Sequence, residues 1–333
     1  MNTTKDRSIS FVRFVAMVFI VACHFMQHYD FVLAWWFNAG VQMFLFLSGY
    51  LYSGKRIDDI ALFYKRNALK LLVDYYIYIA FILVVILMFG KIEINSRIIF
   101  HMLILKSFPS EIGQFWFLPY ILFCYGVTPA WIALLDSMEK KDGFKYIVSV
   151  GALLILMDLI IRNFLAYFEP AWIICYVLGM LVYRMEKNKR HFAHMYVLCL
   201  LMNGVQIYVN YFSDFQMEGD ILRKLWSIWC NYAHVLLGAS LVILLRQAYR
   251  SVKRIPKWFH RILNWSDTYS YDIYIVHNVY IQGAYSVLVL FAAMLPGMIL
   301  AVALIILSAI ILNRLSNYCK KAAAQRMLRL PVP

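Results

Sequence analysis

Two ionisable side chains, Arg13 and His24, lie within the first long apolar stretch of the chain. An imidazole accepts or donates a proton near neutral pH, and a guanidinium binds phosphate or carboxylate oxygens in pairs. Their spacing corresponds to three helical turns with about 20° of residual rotation, so both lie on one helix face, about 16 Å apart. A charge in lipid is costly, so the pair is a candidate for function. The structural alternatives are a snorkelling arginine and a core histidine held by helix-packing hydrogen bonds.

His28 follows His24 by one turn and completes an HxxxH pattern. Such a pair can bind a metal ion, but a metal site needs three or four ligands, and no carboxylate motif accompanies these two. We therefore predict no metal site and no tightly bound cofactor.

A basic cluster, Lys65, Arg66 and Lys70, follows the second apolar stretch. Such charges commonly set membrane orientation or bind lipid headgroups. That is the default interpretation, and the alternative is a cradle for a phosphate-bearing ligand, because guanidinium forks also bind phosphate.

Ser48 lies in a segment rich in small residues, with Gly40 and Gly49. Phe46 occupies the first glycine position of a GxSxG motif, so the pattern does not support a nucleophile elbow. A close helix–helix contact is the better interpretation. Further along, Asp158 and Arg162 stand four residues apart, where they can pair with each other on a helix.

These residues must be positioned by membrane-spanning helices. The chain is 63% hydrophobic and 15% charged, which is too apolar for an ordinary soluble domain. Continuous apolar runs of the length that crosses a bilayer indicate helices rather than a barrel. We predict an all-α transmembrane bundle of about ten spans in a single domain, 1–333, with no fused soluble domain. The predicted spans are 10–29, 35–53, 71–89, 114–135, 145–162, 170–184, 193–212, 224–246, 270–292 and 294–313, with an amphipathic interfacial helix at 57–70.

The distribution of Lys and Arg predicts the orientation of these spans. With the N-terminus inside, the inner segments carry 25 of the 32 basic residues and the outer loops carry six. This asymmetry predicts an N-in, C-in protein of the cell membrane. It also accounts for the net charge of +14 without a nucleic-acid partner.

Taken together, these segments resemble the acyltransferase-3 family of bacterial membrane proteins. Arg13 and His24 are similar to its R-x10-H motif. The other segments that carry the resemblance, in the family's order, are Gly40-Val41…Phe46-Leu47-Ser48-Gly49-Tyr50, Phe63-Tyr64-Lys65-Arg66…Lys70, Phe115-Trp116-Phe117-Leu118 and Ser270-Tyr271…Tyr274-Ile275…His277. Two departures are Lys70, where the family usually has arginine, and Val73-Asp74, which replace a common proline.

The resemblance implies transfer of an acyl group, most simply acetyl, from cytoplasmic acyl-CoA to a hydroxyl of a cell-envelope glycan or lipid-linked glycan. It implies that His24 is the general base, and we add Asp158 as a residue that orients it. The donor-binding residues would be Arg13, Lys65, Arg66 and Lys70. Motif residues expected to line the pocket are Ser48, Gly49, Tyr50, Trp116, Tyr271 and His277.

Membrane lipids are expected partners. Some relatives carry an extracytoplasmic domain that completes the transfer, so this chain is expected to act alone or with a separate partner. A glycan exporter or flippase would also use about ten spans with buried Arg and His, and is the alternative function.

Overall fold

The computed structural model describes residues 6–90, 95–138, 143–165, 167–188, 193–213 and 217–328. Across these ranges every regular element is a helix, which confirms the all-α prediction. The α-helices are α1 (Arg7–His28), α2 (Ala34–Phe37), α3 (Ala39–Ser53), α4 (Ile60–Phe89), α5 (Ser96–Leu103), α6 (Phe117–Met138), α7 (Gly143–Phe164), α8 (Pro170–Lys187), α9 (Ala193–Tyr211), α10 (Asp220–Ser251), α11 (Lys257–Ile281) and α12 (Met294–Leu328). Short 3₁₀ helices form at Ser110–Trp116, Gly283–Tyr285 and Leu288–Leu290.

Five helical segments in the described ranges are long and apolar enough to cross a membrane: Arg7–His28, Ile60–Phe89, Ile112–Met138, Asp220–Ser251 and Met294–Ala322. They make this a helical membrane protein. The larger number, about ten spans, and the N-in, C-in orientation stay predictions.

The predicted interfacial helix at 57–70 is not a separate element. It is continuous with the span that follows, because no glycine or proline interrupts the helix between Ile60 and Phe89. Asp59 caps the start by accepting a hydrogen bond from the Leu62 amide at 2.8 Å, and Gly90, in the left-handed region, ends the helix.

Two other predicted spans differ in their boundaries. The segment 35–53 divides at Asn38, leaving α3 with 15 residues, about 22 Å long, which is shorter than a ~30 Å hydrocarbon core. Of the predicted span 270–292, only residues 270–281 belong to α11, which begins at Lys257 and ends at Ile281. Gly283, with φ of 75°, then redirects the chain into short 3₁₀ turns.

The chain forms two compact units that interleave along the sequence. Unit 1 comprises Met1–Ala16, Asn38–Ile57 and Gly126–Pro256, and unit 2 comprises Met17–Phe37, Asp58–Tyr125 and Lys257–Pro333. A single domain 1–333 stays a prediction.

Unit 1 is built around close contact between α3 and α8. A methyl group added to Gly49 would overlap the carbonyl oxygen of Tyr176, and one added to Gly179 would overlap that of Phe46. The two backbones therefore touch at both glycines. This confirms the close-packing interpretation of the segment around Gly49.

Candidate functional site

The imidazole rings of His24 and His277 lie together in unit 2, with centroids 4.9 Å apart and a tilt of 48°. His24 comes from α1 and His277 from α11. The Gln282 side chain joins the two helices by donating a hydrogen bond to the His24 carbonyl at 3.0 Å. The structure thus brings the residue predicted as a base together with a second histidine predicted as a pocket residue.

Hydrogen bonding assigns the tautomer of His277. Its Nδ1 lies 2.7 Å from the carbonyl oxygen of Tyr274 and 3.2 Å from that of Ile273. A carbonyl oxygen only accepts, so Nδ1 carries the proton and Nε2 offers a lone pair in the neutral ring. Within the described residues, Nε2 of His277 and Nδ1 of His24 are both buried without a hydrogen-bond partner. Gln27, almost one turn beyond His24, hydrogen-bonds the His24 ring.

The 3₁₀ helix Ser110–Trp116 holds α11 in place beside this pair. The Gln114 side chain donates to the carbonyl of Ile275 at 2.8 Å, and the Tyr274 hydroxyl donates to the carbonyl of Gln114 at 2.5 Å. Phe115 is fully buried and meets the ring of Tyr75 edge-on at 4.9 Å. Trp116, predicted as a pocket residue, is half-buried and stands edge-on to Tyr120 at 5.6 Å.

Tyr271 connects α11 to the basic segment of α4. Its hydroxyl donates to the carbonyl of Leu71 at 2.9 Å, directly after Lys70 in the chain. Lys65, Arg66 and Lys70 are all exposed along α4. A motif tyrosine therefore braces the helix that carries these three cations.

A family profile described as an acyltransferase domain matches residues 6–314, nearly the whole chain. The chain belongs to the acyltransferase-3 family. The resemblance drawn from the ordered motifs is thereby confirmed, and acyl transfer at a membrane is the activity that the family indicates. Comparisons with curated proteins and with solved structures return no match.

The acyltransferase also contains a buried acidic pair that sequence reasoning missed. Asp74 on α4 accepts from Lys320 on α12 at 2.6 Å, and Asp272 on α11 accepts from Asn313 at 2.8 Å. Both carboxylates are about 2% exposed. The sequence signal that could have revealed this pair is Asp74 itself, because an acidic residue within an apolar run is a candidate for function. The sequence could not show its partner, because Lys320 lies on a helix distant in the chain.

Asp158 of the acyltransferase lies in unit 1, where its carboxylate has three donors. Arg162 donates through Nη2 at 2.8 Å and through Nε at 3.2 Å, and the Tyr232 hydroxyl donates at 2.6 Å. Arg162 also reaches Glu169 at 3.3 Å. The pairing of Asp158 with Arg162 is confirmed, whereas a role of Asp158 in orienting His24 stays a prediction.

Tyr50, predicted as a pocket residue, belongs to a charged network in unit 1. Its hydroxyl donates to Glu186 at 2.5 Å, and the Arg246 guanidinium lies 4.3 Å from its ring centre. Arg250 bridges two carboxylates, because its guanidinium lies 3.1 Å from Glu186 and 2.7 Å from Asp6. The pKa of Asp6 lies below its ordinary value: burial raises it, but hydrogen bonds from Ser8 and Arg250 outweigh that effect. The network ties α3, α8 and α10 to Asp6, which directly precedes α1.

The last two predicted residues of unit 1 are only partly exposed. Ser48 on α3 and Arg13 on α1 are both half-buried. Across the described residues, no three His, Cys, Asp or Glu side chains cluster at a spacing that would hold a metal ion.

Proposed function

We propose that this acyltransferase moves an acyl group, in the first instance acetyl, from acyl-CoA to a hydroxyl of a cell-envelope glycan. The observation that supports this most strongly is the pairing of His24 with His277 in a chain whose residues 6–314 match the acyltransferase domain. A sugar hydroxyl is a weak nucleophile near neutral pH, so the reaction needs a positioned proton acceptor. A neutral imidazole supplies one.

His24 is the proposed general base. It takes the proton of the acceptor hydroxyl as the oxygen forms an ester bond to the thioester carbonyl carbon. The bond between that carbon and sulfur breaks, and coenzyme A leaves as a thiolate, which receives the proton from His24. No external oxidant or reductant is needed, because the bonds and protons balance within the donor and the acceptor.

His277 is proposed to position His24, the role that the sequence analysis predicts for Asp158. With its own Nδ1–H held by the Tyr274 carbonyl, Nε2 of His277 can accept a hydrogen bond from Nδ1–H of His24. That bond would leave the lone pair on Nε2 of His24, where it can serve as the base. The substrate hydroxyl would then replace Gln27 as the hydrogen-bond partner of the His24 ring.

Arg13, Lys65, Arg66 and Lys70 are proposed to bind the phosphates of the donor. Guanidinium and ammonium groups form charge-assisted hydrogen bonds with phosphate oxygens. Bracing of α4 by Tyr271 at Leu71 supports this assignment, because it fixes the segment directly after Lys70.

The substitution His24→Gln tests the base, with purified protein, acetyl-CoA and the envelope glycan of the host. Glutamine keeps hydrogen bonding but cannot take the proton, so transfer should fall by about 10²–10⁴. Acetyl-CoA affinity should stay near that of the wild type. Near-native turnover in His24→Gln would refute the base assignment, whereas absence of transfer by the wild-type protein would favour the exporter alternative.

His28→Ala is the matched control, since it removes an imidazole one turn away on the same helix. Its turnover should stay near that of the wild type. His277→Gln is the complementary variant: it should lower kcat with little change in KM for acetyl-CoA and alter the pH dependence of kcat.

A further inference from the structure

The proposed reaction places negative charge on the carbonyl oxygen of the thioester as the acceptor oxygen attacks. A hydrogen-bond donor aimed at that oxygen is usually the largest single contribution to catalysis of this kind. His24 must accept a proton, and the Nδ1–H of His277 is held by the Tyr274 carbonyl, so neither ring can be that donor. The reaction therefore needs a further donor side chain near the histidine pair.

Tyr78 on α4 carries a buried hydroxyl group. The residue is 4% exposed, and its Oη has no hydrogen-bond partner within the described residues. Almost one turn earlier on the same buried face, the Tyr75 hydroxyl donates to the Met102 carbonyl at 2.6 Å. Burying a hydroxyl without a partner costs free energy, so this one calls for an explanation. A ligand atom that accepts its hydrogen bond provides one.

Several other buried polar atoms of unit 2 that have no hydrogen-bond partner in the described ranges can only accept. They include the amide oxygen of Gln114 and one carboxylate oxygen each of Asp74 and Asp272. The Ser266 hydroxyl can donate, but Ser266 lies 11 residues before His277 on α11, about 16 Å along the helix axis. Tyr78 is therefore the better placed of these two hydroxyls.

Tyr78 packs beside the segment of α11 that carries His277. Its ring contacts that of Phe115, with centroids 5.9 Å apart, and Phe115 in turn contacts Tyr274 at 6.5 Å. Tyr274 is the residue whose carbonyl holds Nδ1 of His277. Tyr78 also interacts electrostatically with Tyr280, almost one turn beyond His277 on α11. These contacts place the Tyr78 side chain near the reacting histidines.

The helix that carries Tyr78 also carries cations proposed to bind the donor. Arg66 precedes Tyr78 on α4 by 12 residues, about 18 Å along the helix axis. A donor that lies along α4 with its phosphates at Arg66 and Lys70 would extend its acyl end towards Tyr78.

We propose that the Tyr78 hydroxyl donates a hydrogen bond to the carbonyl oxygen of the donor thioester and stabilises the negative charge that forms there. When the acceptor oxygen bonds to the carbonyl carbon, the π electrons of the carbonyl move to its oxygen, and they return when the bond to sulfur breaks. Tyr78 keeps its proton throughout, so the proton balance of the reaction is unchanged. This inference rests on the proposed function and adds a catalytic residue to it.

The substitution Tyr78→Phe tests this role, because it removes the hydroxyl and keeps the ring against Phe115. With the purified full chain, acetyl-CoA and the envelope glycan, kcat should fall about 10²–10³-fold, the usual effect of losing one such donor. KM for acetyl-CoA should change little, because the bond strengthens as the charge develops. The melting temperature in detergent should stay the same or rise, since the variant no longer buries an unsatisfied hydroxyl.

Infrared difference spectroscopy detects the same hydrogen bond without turnover. The probe is acetyl-CoA labelled isotopically at the carbonyl carbon, with no acceptor present. The carbonyl band should lie at a lower wavenumber in the wild-type complex than in Tyr78→Phe, because hydrogen bonding weakens the C=O bond. Tyr76→Phe is the matched control: the Tyr76 hydroxyl already donates to the Leu103 carbonyl, so its removal should change neither the band nor kcat.

Near-native kcat in Tyr78→Phe, or the same band position in wild type and Tyr78→Phe, would overturn the inference and leave the His24 assignment intact. Absence of transfer by the wild-type protein would count against the proposed function instead. The carbonyl band would then still decide whether Tyr78 binds the thioester.

Discussion

Two imidazoles side by side have different chemical consequences from an imidazole beside a carboxylate. A carboxylate would strongly stabilise a protonated His24, whereas a neutral His277 orients the ring through a hydrogen bond and stabilises the imidazolium less, because it carries no negative charge. In the proposed reaction the proton must move on to the leaving thiolate, so a base that does not retain it is an advantage. The ring of His24 lies against that of His277, and the Tyr274 carbonyl holds the His277 ring in place. Variants of the two histidines should therefore be tested together.

At this scale the donor assignment yields a binding prediction. Arg13→Ala and Arg66→Ala should each weaken acetyl-CoA binding, because each removes a charge-assisted hydrogen bond that contributes about 1.5–3 kcal/mol. Titration calorimetry on the purified variants measures this loss.

Arg97→Ala is the control for the donor variants, since Arg97 is an exposed arginine on α5 that we assign no binding role. Donor affinity equal to wild type in both Arg13→Ala and Arg66→Ala would leave these residues with topogenic or lipid-binding roles alone.

Among the elements, α3 and α8 depend on their glycines to approach one another. Gly49→Ala should destabilise the protein by about 1–3 kcal/mol, because the new methyl group meets the backbone of Tyr176, which cannot move aside as a flexible side chain would. The measurement is thermal unfolding in detergent.

Gly151→Ala on α7 provides the comparison for Gly49→Ala, since a methyl group there has nothing within 4 Å. It should be neutral or slightly stabilising, by up to about 1 kcal/mol. Equal melting temperatures for the two variants would contradict the backbone contact between α3 and α8.

A second prediction concerns the link between α4 and α12. Lys320→Met should cost about 3–5 kcal/mol, because it leaves the buried carboxylate of Asp74 without its cation. The double variant Asp74→Asn, Lys320→Met should recover most of that loss, since it removes both charges.

Lys321→Met is the control for this pair, as Lys321 is exposed on the same helix. If the double variant were as unstable as Lys320→Met alone, the ion pair would not explain the effect.

For the whole molecule, the uneven distribution of basic residues is the main evidence for orientation. Reporter fusions after residues 30, 190, 218 and 255 should indicate outside, inside, outside and inside, because Lys and Arg concentrate on the inner side. A phosphatase and fluorescent-protein reporter pair reads both sides.

The fusion at 255 is the most discriminating of these, as it lies between α10 and α11 in the most basic of the inner segments. With the N-terminus inside, an external signal there would show that the predicted number of spans before residue 255 is wrong. Among the described residues, five helical segments are long and apolar enough to cross a membrane, and these fusions test the larger predicted number.

The sequence alone was sufficient for the class of molecule and for its family. Lipid requires every backbone polar group to be bonded within the segment, so a membrane protein of this kind must display long apolar helical runs in its sequence. Family membership could be inferred because the motifs are local and ordered, from Arg13 and His24 to the segment ending at His277. Continuity of 57–70 with the next span was missed, because amphipathic character does not show where a helix ends.

Only the tertiary structure decided which side chains meet. His24 and His277 lie at opposite ends of the chain, and their contact depends on how α1 and α11 rotate and pack, which local spacing does not encode. The same holds for Asp74 with Lys320 and for Asp158 with Tyr232. A helical pattern specifies a face, but the register of packed helices selects the partner, because close packing admits few arrangements of large side chains.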